Sequence, residues 1–530
     1  MELTQTVYAN FEEKSLMPRE SLRKTLQLAG FFGLITFALH VVINIRAQHV
    51  GYGLFRDELY YIICGRNLAW GYVDQPPVIA LAARFSELVF GWHSLALFRV
   101  LPSLAGALEV AGTGLLVREM GGRRTAQIIA MIAVMACPVV LAIDAILSMN
   151  CFEPLFWLGT AYAVLRAVRG DGTRWWIIAG IVAGLGLENK WNEAFFLFAM
   201  LPALLLTPGR KALATKGFAA CVALIVLISL PNLLWEVHRG WPTLEWLHNA
   251  GTHGKNVVLS PPTFVWNQMF ITGPLSSVIW IGGLVWLLTS RAARGVRWIG
   301  LLYALYLPAM VPLHANDYYL APVYPLLFAA GGVAWDRWLT RRWLRRTVIP
   351  AYASLVLAYG IVGVMIVQPV LTPPQYARYI EHTDLRPREF NATAKAPQPE
   401  LVADMTGWKD VADKIAGAYL SLSPEDRTKA GILVDNYGEA SAVNVYRPDV
   451  PTAISGHQNY FYWGPREHDG SVMVVFGKPR SVLEQEYASV TEVARTTNPW
   501  GQPYELGAIY ICRGAKQDLR EAWPTLKSWY

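Results

Sequence analysis

Residues 29–61 read AGFFGLITFALHVVINIRAQHVGYGLFRDELYY. The run 29–45 is apolar and uncharged, long enough as a helix to enter a ~30 Å hydrocarbon core. Arg56, Asp57 and Glu58 follow within a dozen residues. Adjacent carboxylates at a bilayer surface are costly unless solvated or paired, so the stretch sets a membrane anchor beside a polar site. The same contrast runs through all 530 residues: 54% are hydrophobic, 16% are charged, and the mean hydropathy is +0.29. An average soluble domain is about 25% charged. The 21 Trp and 24 Tyr are types that gather at membrane–water interfaces. This composition excludes a soluble cytosolic enzyme and a disordered or fibrous chain, and it points to a polytopic membrane protein.

Working outward, apolar runs of spanning length recur near 29–46, 95–116, 125–143, 151–168, 175–189, 192–206, 213–235, 269–289, 298–313, 318–335 and 347–368, eleven in all. Some 28 largely polar residues precede the first run, which reads as a signal anchor and not a cleaved leader. The alternate segments 1–28, 117–124, 166–174, 207–216, 290–297 and 335–346 carry 21 Lys and Arg, and the intervening ones carry six. The positive-inside rule then puts the N-terminus in the cytoplasm and residues 371–530 outside. Within the outer 48–94 loop, residues 58–69 and 78–89 read as amphipathic helices lying on the outer leaflet.

The net charge of +7 divides unevenly, since residues 371–530 hold 17 basic and 20 acidic side chains. The basic residues of the remainder sit in short loops between apolar runs, which does not imply nucleic acid. Residues 369–400 are polar and proline-rich, a linker by composition. Beyond them Val411, Ile415 and Tyr419 recur at helical spacing, and short apolar runs at 432–434, 472–476 and 505–513 read as buried strands, with helices at 439–446 and 480–487. A small α/β domain over 401–530 is expected. The five Cys (Cys64, Cys137, Cys151, Cys221, Cys512) form no C-x-x-C pair, so zinc-ribbon and redox readings fall away.

Chemistry is sought in five polar clusters on the outer side. FRDELYY (55–61) offers Asp57 as a base or ligand with Glu58 to orient it; an ordinary acidic helix N-terminus is the other reading. GYVDQPP (71–77) presents Asp74 and Gln75 before paired prolines, or is simply a turn. SMNCFEP (148–154) puts Asn150 and Glu153 at the mouth of a span. ENKWNE (188–193) interrupts an apolar stretch with Lys190, either lining a wet cavity or marking a surface turn. HANDYYLAPVYP (314–325) brings His314, Tyr318 and Tyr319. Together the clusters would line one cavity at the outer leaflet.

The ordered set of motifs resembles the bacterial branch of the dolichyl-phosphate-mannose–protein mannosyltransferase family, which includes the aminoarabinose transferases of lipid A, over roughly residues 25–335. The runs NYGEASAVNVY (436–446) and AISGHQNYFYWGP (453–465) resemble the extracytoplasmic domain of some bacterial members. The resemblance implies a polytopic helical membrane protein of the glycosyltransferase-C fold, about 11 spans over residues 29–368, with a small C-terminal extracytoplasmic α/β domain. It also implies a multi-pass plasma-membrane location, a polyprenyl-phosphate-sugar donor, an extracytoplasmic acceptor, and inversion at the anomeric carbon. Asp57 matches the family's essential first-loop Asp, expected to activate the acceptor hydroxyl. Two positions depart from the pattern: Gln75 stands where His or Lys is common, and Asn150 where an acid is, leaving Glu153 as the nearby carboxylate.

Inverting transfer needs a base near the acceptor oxygen and positive charge for the departing phosphate. Lys190 is the expected phosphate partner, with His314 and Tyr318 behind it. A divalent cation between Asp57 and Glu153 is compatible with the sequence, which shows no ligand spacing that demands one. A lipid transporter or flippase would also carry intramembrane charge, but near the midplane and often with inverted repeats, and none is visible. A non-catalytic envelope scaffold built around residues 371–530 is the third reading.

Overall fold

The computed structural model describes residues 20–252, 258–389 and 396–529. Most of the expected 1–28 segment, residues 253–257 of the second outer loop and 390–395 of the linker lie outside the described residues. Each of the eleven apolar runs falls on a helix or a helix pair. Among the described residues four helices can cross a membrane singly by length and composition: Leu22–His49, Val100–Glu119, Lys216–His238 and Arg342–Val367. The number rises to six if the bent pairs Asn192–Leu205 with Pro208–Ala214 and Pro261–Ile271 with Pro274–Thr289 each count as one span. The expected eleven are thus not eleven long straight helices. Asn192–Leu205 has 14 residues, about 21 Å at 1.5 Å per residue, and the 125–143 run breaks before Pro138.

The bundle core centres on the Tyr324–Trp338 helix, buried over nearly its whole surface. Without a hydrophobic drive between helices in lipid, small residues decide how close they come. A Cβ on Gly331 would stand 2.2 Å from the Ile279 carbonyl oxygen, and one on Gly283 2.4 Å from that of Leu327. These glycines let Pro274–Thr289 lie directly against Tyr324–Trp338.

The outer loop departs from expectation. Arg56–Arg66 is a helix with Glu58 through Gly65 buried without a break, so it does not lie on the leaflet. Its LYYIICG run is apolar on every side, and a helix apolar all round is buried. It packs between Val78–Phe90 and the helix Tyr437–Tyr446 of the C-terminal region. Val78–Phe90 does have one exposed apolar stripe, of Leu81, Phe85, Leu88 and Val89. The linker is also corrected. Pro373 and Pro374 start a helix, Pro373–Thr383, behind a Thr372–Gln375 capping box, as prolines at first helical positions can. It buries Tyr376 and Ile380.

The C-terminal region carries a four-stranded sheet of β1 (Ala430–Val434), β2 (Val472–Phe476), β3 (Tyr487–Arg495) and β4 (Ala508–Ala515), in the order β1-β2-β4-β3. β1 and β2 are parallel and the other pairs antiparallel. The parallel pair needs a crossover, and Tyr437–Tyr446 lies within it. β3 escaped the sequence reading because it is an edge strand, mostly exposed, without an apolar run. Trp408–Leu420 buries Val411, Ile415 and Tyr419. The outer core is continuous with the loop: Leu59, Tyr60, Ile63, Tyr72 and Ile79 share one cluster with Trp408, Val443, Val474 and Ile511. All five cysteines are free and buried.

Candidate active site

Asp57 sits in the first turn of Arg56–Arg66, whose start is fixed by Glu58 reaching back to the N-cap: the Phe55 N–H donates to Glu58 at 2.8 Å. Glu58, expected to orient Asp57, has its partners elsewhere. The Glu58 carboxylate is wholly buried and accepts both Nε and a terminal nitrogen of Arg99 at 2.8 and 2.7 Å, and the Leu147 N–H at 2.8 Å. A buried, bidentate, fully hydrogen-bonded carboxylate is structural; it ties the loop helix to the bundle. Asp57 points the other way and keeps 30% of its side chain exposed. It accepts from the Tyr437 hydroxyl at 2.7 Å and from Arg56 Nε at 3.4 Å.

Arg56 fastens this corner. It donates to the Tyr504 hydroxyl at 2.7 Å and lies 3.4 Å from Asp404 and 4.0 Å from Glu400. Its guanidinium also faces the rings of Tyr437 and Tyr504. The contact is so close that a Cβ on Gly438 would meet Arg56 Cγ at 2.6 Å. Asp74 accepts from the Tyr60 hydroxyl at 3.1 Å, and the Asn459 N–H donates to that hydroxyl at 3.2 Å. Burial drives the Tyr437 and Tyr60 hydroxyls well above the ordinary phenol range, with Asp57 adding to the first against Arg56, and Asp74 to the second. Both remain donors. Gln75 is buried beside the Cys64 thiol, closing the Tyr72–Gln75 turn.

A second cluster gathers the other motifs. Ser148 caps Met149–Val168, setting Asn150 and Glu153 in its opening turns. Lys190 ends Thr173–Asn189 with an extended backbone, so its side chain leaves the break between two helices. Its Nζ donates to Asn150 Oδ1 at 2.8 Å and Glu153 Oε2 at 2.9 Å, and lies 4.6 and 5.4 Å from the ring centroids of Tyr319 and Tyr318. Asn192 holds the other Glu153 oxygen at 2.5 Å and the Tyr319 carbonyl at 3.1 Å. The surface-turn reading of Lys190 does not describe this setting. His314 is not brought in: it is exposed on a left-handed turn at φ 49°, without a side-chain partner among the described residues.

A cavity of about 360 Å³ lies near the two clusters, but of the five motifs only the last lines it, through Asp317 and Tyr318, so the expectation of one cavity lined by all five is corrected. Val139, Phe270, Ile271, Ile366 and Val367 form its apolar wall, and Tyr318, Arg388 and Glu400 its polar end. Tyr318 separates the cavity from Lys190, and Glu400 separates it from Arg56 and so from Asp57. Arg388 pairs with Asp317 at 3.1 Å, and Asn267 also bonds Asp317. Arg56, Asn192, Arg388 and Tyr437 were missed as site residues. Three of them lie inside or beside quoted motifs, and only Arg388, in the presumed linker, had no signal. Among the described residues no group of three or more His, Cys, Asp and Glu gathers for a metal ion, and Asp57 and Glu153 are engaged by Tyr437 and Lys190.

The chain, a helical membrane bundle with carboxylate and cationic groups around a half-apolar cavity and a C-terminal α/β domain, is similar to proteins named as sugar transferases. The sequence model of the dolichyl-phosphate-mannose-protein mannosyltransferase family matches residues 74–235. A Bacillus subtilis protein provisionally named the mannosyltransferase YkcB is 30% identical over 31% of this chain and 23% of its own length. The lipid A galacturonosyltransferase RgtD of Rhizobium johnstonii is 27% identical over 41% of this chain and 45% of its own. The chain therefore aligns with less than half of either relative. The crystal structure of ArnT from Cupriavidus metallidurans bound to undecaprenyl phosphate superposes with a TM-score of 0.60 at 14% identity, over 90% of this chain and 97% of that one. The last likeness shows a shared fold, and the set bears out the family resemblance read from the motifs.

Proposed function

We propose that this chain is a membrane glycosyltransferase that moves a sugar from a polyprenyl-phosphate donor to an acceptor hydroxyl at the extracytoplasmic face, inverting the anomeric carbon. The observation that carries the reading is the cavity: its lining is part apolar and part polar, its Glu400 lies 4.0 Å from Arg56, the neighbour of Asp57, and its Tyr318 ring lies 5.4 Å from Lys190. An isoprenoid chain suits the apolar wall, and a sugar phosphate the polar end. The undecaprenyl phosphate named with the ArnT structure is of that chemical type.

In this reading the acceptor hydroxyl approaches the open oxygen of Asp57. The oxygen–anomeric carbon bond forms as the carbon–phosphate oxygen bond breaks, and Asp57 takes the proton as attack proceeds. Lys190 and Arg388 offer donors to the phosphate as its charge develops. For Lys190 the phosphate must compete with Glu153, so donor binding and rearrangement of this ion pair are linked. Asn150 and Tyr319 hold the lysine's alternatives in reach. The divalent cation left open by the sequence has no step assigned to it.

Purified protein in lipid nanodiscs, given a radiolabelled polyprenyl-phosphate sugar and a candidate acceptor extract, should release polyprenyl phosphate in step with label transfer. Movement of intact donor across liposomes without release would replace the transferase with a flippase. The outward-facing orientation has its own test. Glu425→Cys should react with an impermeant maleimide in intact cells, whereas Arg342→Cys should react only after lysis.

A further inference from the structure

The C-terminal domain reaches two carboxylates of the 48–94 loop, the candidate base Asp57 and Asp74, by hydrogen bonds from different segments. Tyr437, the first residue of Tyr437–Tyr446, donates to Asp57 at 2.7 Å across 380 positions of sequence. The Asn459 backbone N–H, on another loop, donates to Tyr60, which in turn donates to Asp74. The rings are packed as well as bonded: Tyr60 and Tyr437 centroids lie 4.7 Å apart, and Tyr60 and Tyr460 lie 6.3 Å apart and stacked. Tyr437 is itself buried and braced by the His457 ring at 5.1 Å, so its hydroxyl has little freedom to turn away. Asp57 Oδ1 is thus held and its other oxygen left open, the geometry a base needs to meet a hydroxyl along one direction.

We propose that Tyr437 is a positioning residue for Asp57, so that the outer domain takes part in the transfer step and does not merely select the acceptor. The proposal rests on the reading of Asp57 as the base. An unheld carboxylate on a surface helix samples several rotamers, and misplacement by about 1 Å can cost roughly 100-fold in rate. The hydroxyl acts through orientation, so its loss should slow turnover without weakening either substrate. The Asn459–Tyr60–Asp74 chain repeats the device on the second carboxylate and limits how far the loop helix can drift when one handle is cut.

The test is Tyr437→Phe, which keeps the ring packed on Tyr60 and removes only the donor. The intact protein in nanodiscs should lose about 10- to 100-fold in kcat, with donor and acceptor KM changed by less than about 2-fold and the thermal midpoint held. In an Asp57→Asn background the same change should have no further effect, because the two side chains act as one unit. Full kcat in Tyr437→Phe, or a loss carried by KM and the thermal midpoint together, overturns the proposal while leaving the transferase reading intact. Full turnover in Asp57→Asn alone overturns the choice of base, and the proposal with it.

Discussion

The two polar clusters handle charge in opposite ways. Asp57 is half-buried, held at one oxygen and open at the other, at a seam between two parts of the molecule. Lys190 is closed: 13% exposed, ion-paired to Glu153, bonded to Asn150 and capped by two tyrosine rings. One end is ready to receive a group, and the other must exchange partners to do so. The difference shows why a single residue step matters along FRDELYY. Glu58, next to Asp57, is locked as tightly as Lys190 but to the bundle's own Arg99, and it gives the open end something rigid to stand on.

The largest effect expected from breaking this contrast is at the open end. Asp57→Asn should lower turnover about 10²- to 10⁴-fold in purified protein, with expression and membrane insertion unchanged. Wild-type turnover would move the base elsewhere. Next comes the support beneath it. Arg99→Ala leaves the Glu58 carboxylate buried and unpaired, a loss of about 3–5 kcal/mol, read as a lower thermal midpoint or less folded protein. A midpoint equal to the parent's would mean that Glu58 is not anchored there. At the closed end Lys190→Ala should weaken donor binding about 10- to 100-fold, the value of a charge-assisted hydrogen bond. Lys190→Arg should recover part of it, since charge survives while geometry changes. Equal donor affinity in all three proteins would leave the closed end without a ligand.

The smallest effect lies in the outer domain behind the open end. Burial pushes Glu505 from the ordinary 4.5 up to about 8, with Asp404 adding, against hydrogen bonds from Gln502 and Asn498. A carboxyl whose folded pKa is raised binds its proton more tightly when folded. Its contribution to stability is therefore full below about 4.5 and declines as pH climbs towards 8. Glu505→Gln should flatten that decline, measured as the thermal midpoint against pH. A slope unchanged by the substitution would assign it to other groups.

The membrane half was largely legible, because apolar runs of spanning length, charge asymmetry and five polar motifs are local features. Each run fell on a helix, and Asn150, Glu153, Lys190, Tyr318 and Tyr319 came together as the clusters implied. The seam was not legible. Arg56 gave no hint of its partners, since Asp404 and Tyr504 lie hundreds of residues downstream. Residues 58–69 read locally as an amphipathic helix on lipid because nothing local says that a protein surface, not a bilayer, covers them. Arg388 was hidden by composition, in a proline-rich stretch that turned out to begin with a capped helix. His314 erred the other way: it sits in a good motif, but the turn throws it outward.

The hydrogen bond between Tyr437 and Asp57 also orders events in the life of each molecule. The two residues are 380 positions apart, and a ribosome adding roughly 5–20 residues per second needs about 20–75 s to cover that distance. Through that interval the newborn chain already carries Asp57 while the cavity wall is being made, and its seam is unmade: Arg56 lacks Tyr504, and Tyr60 lacks Asn459. The last strand, Ala508–Ala515, must join the sheet before the outer core can close. A chain that lacks the folded C-terminal domain is therefore left with Asp57 unheld by Tyr437.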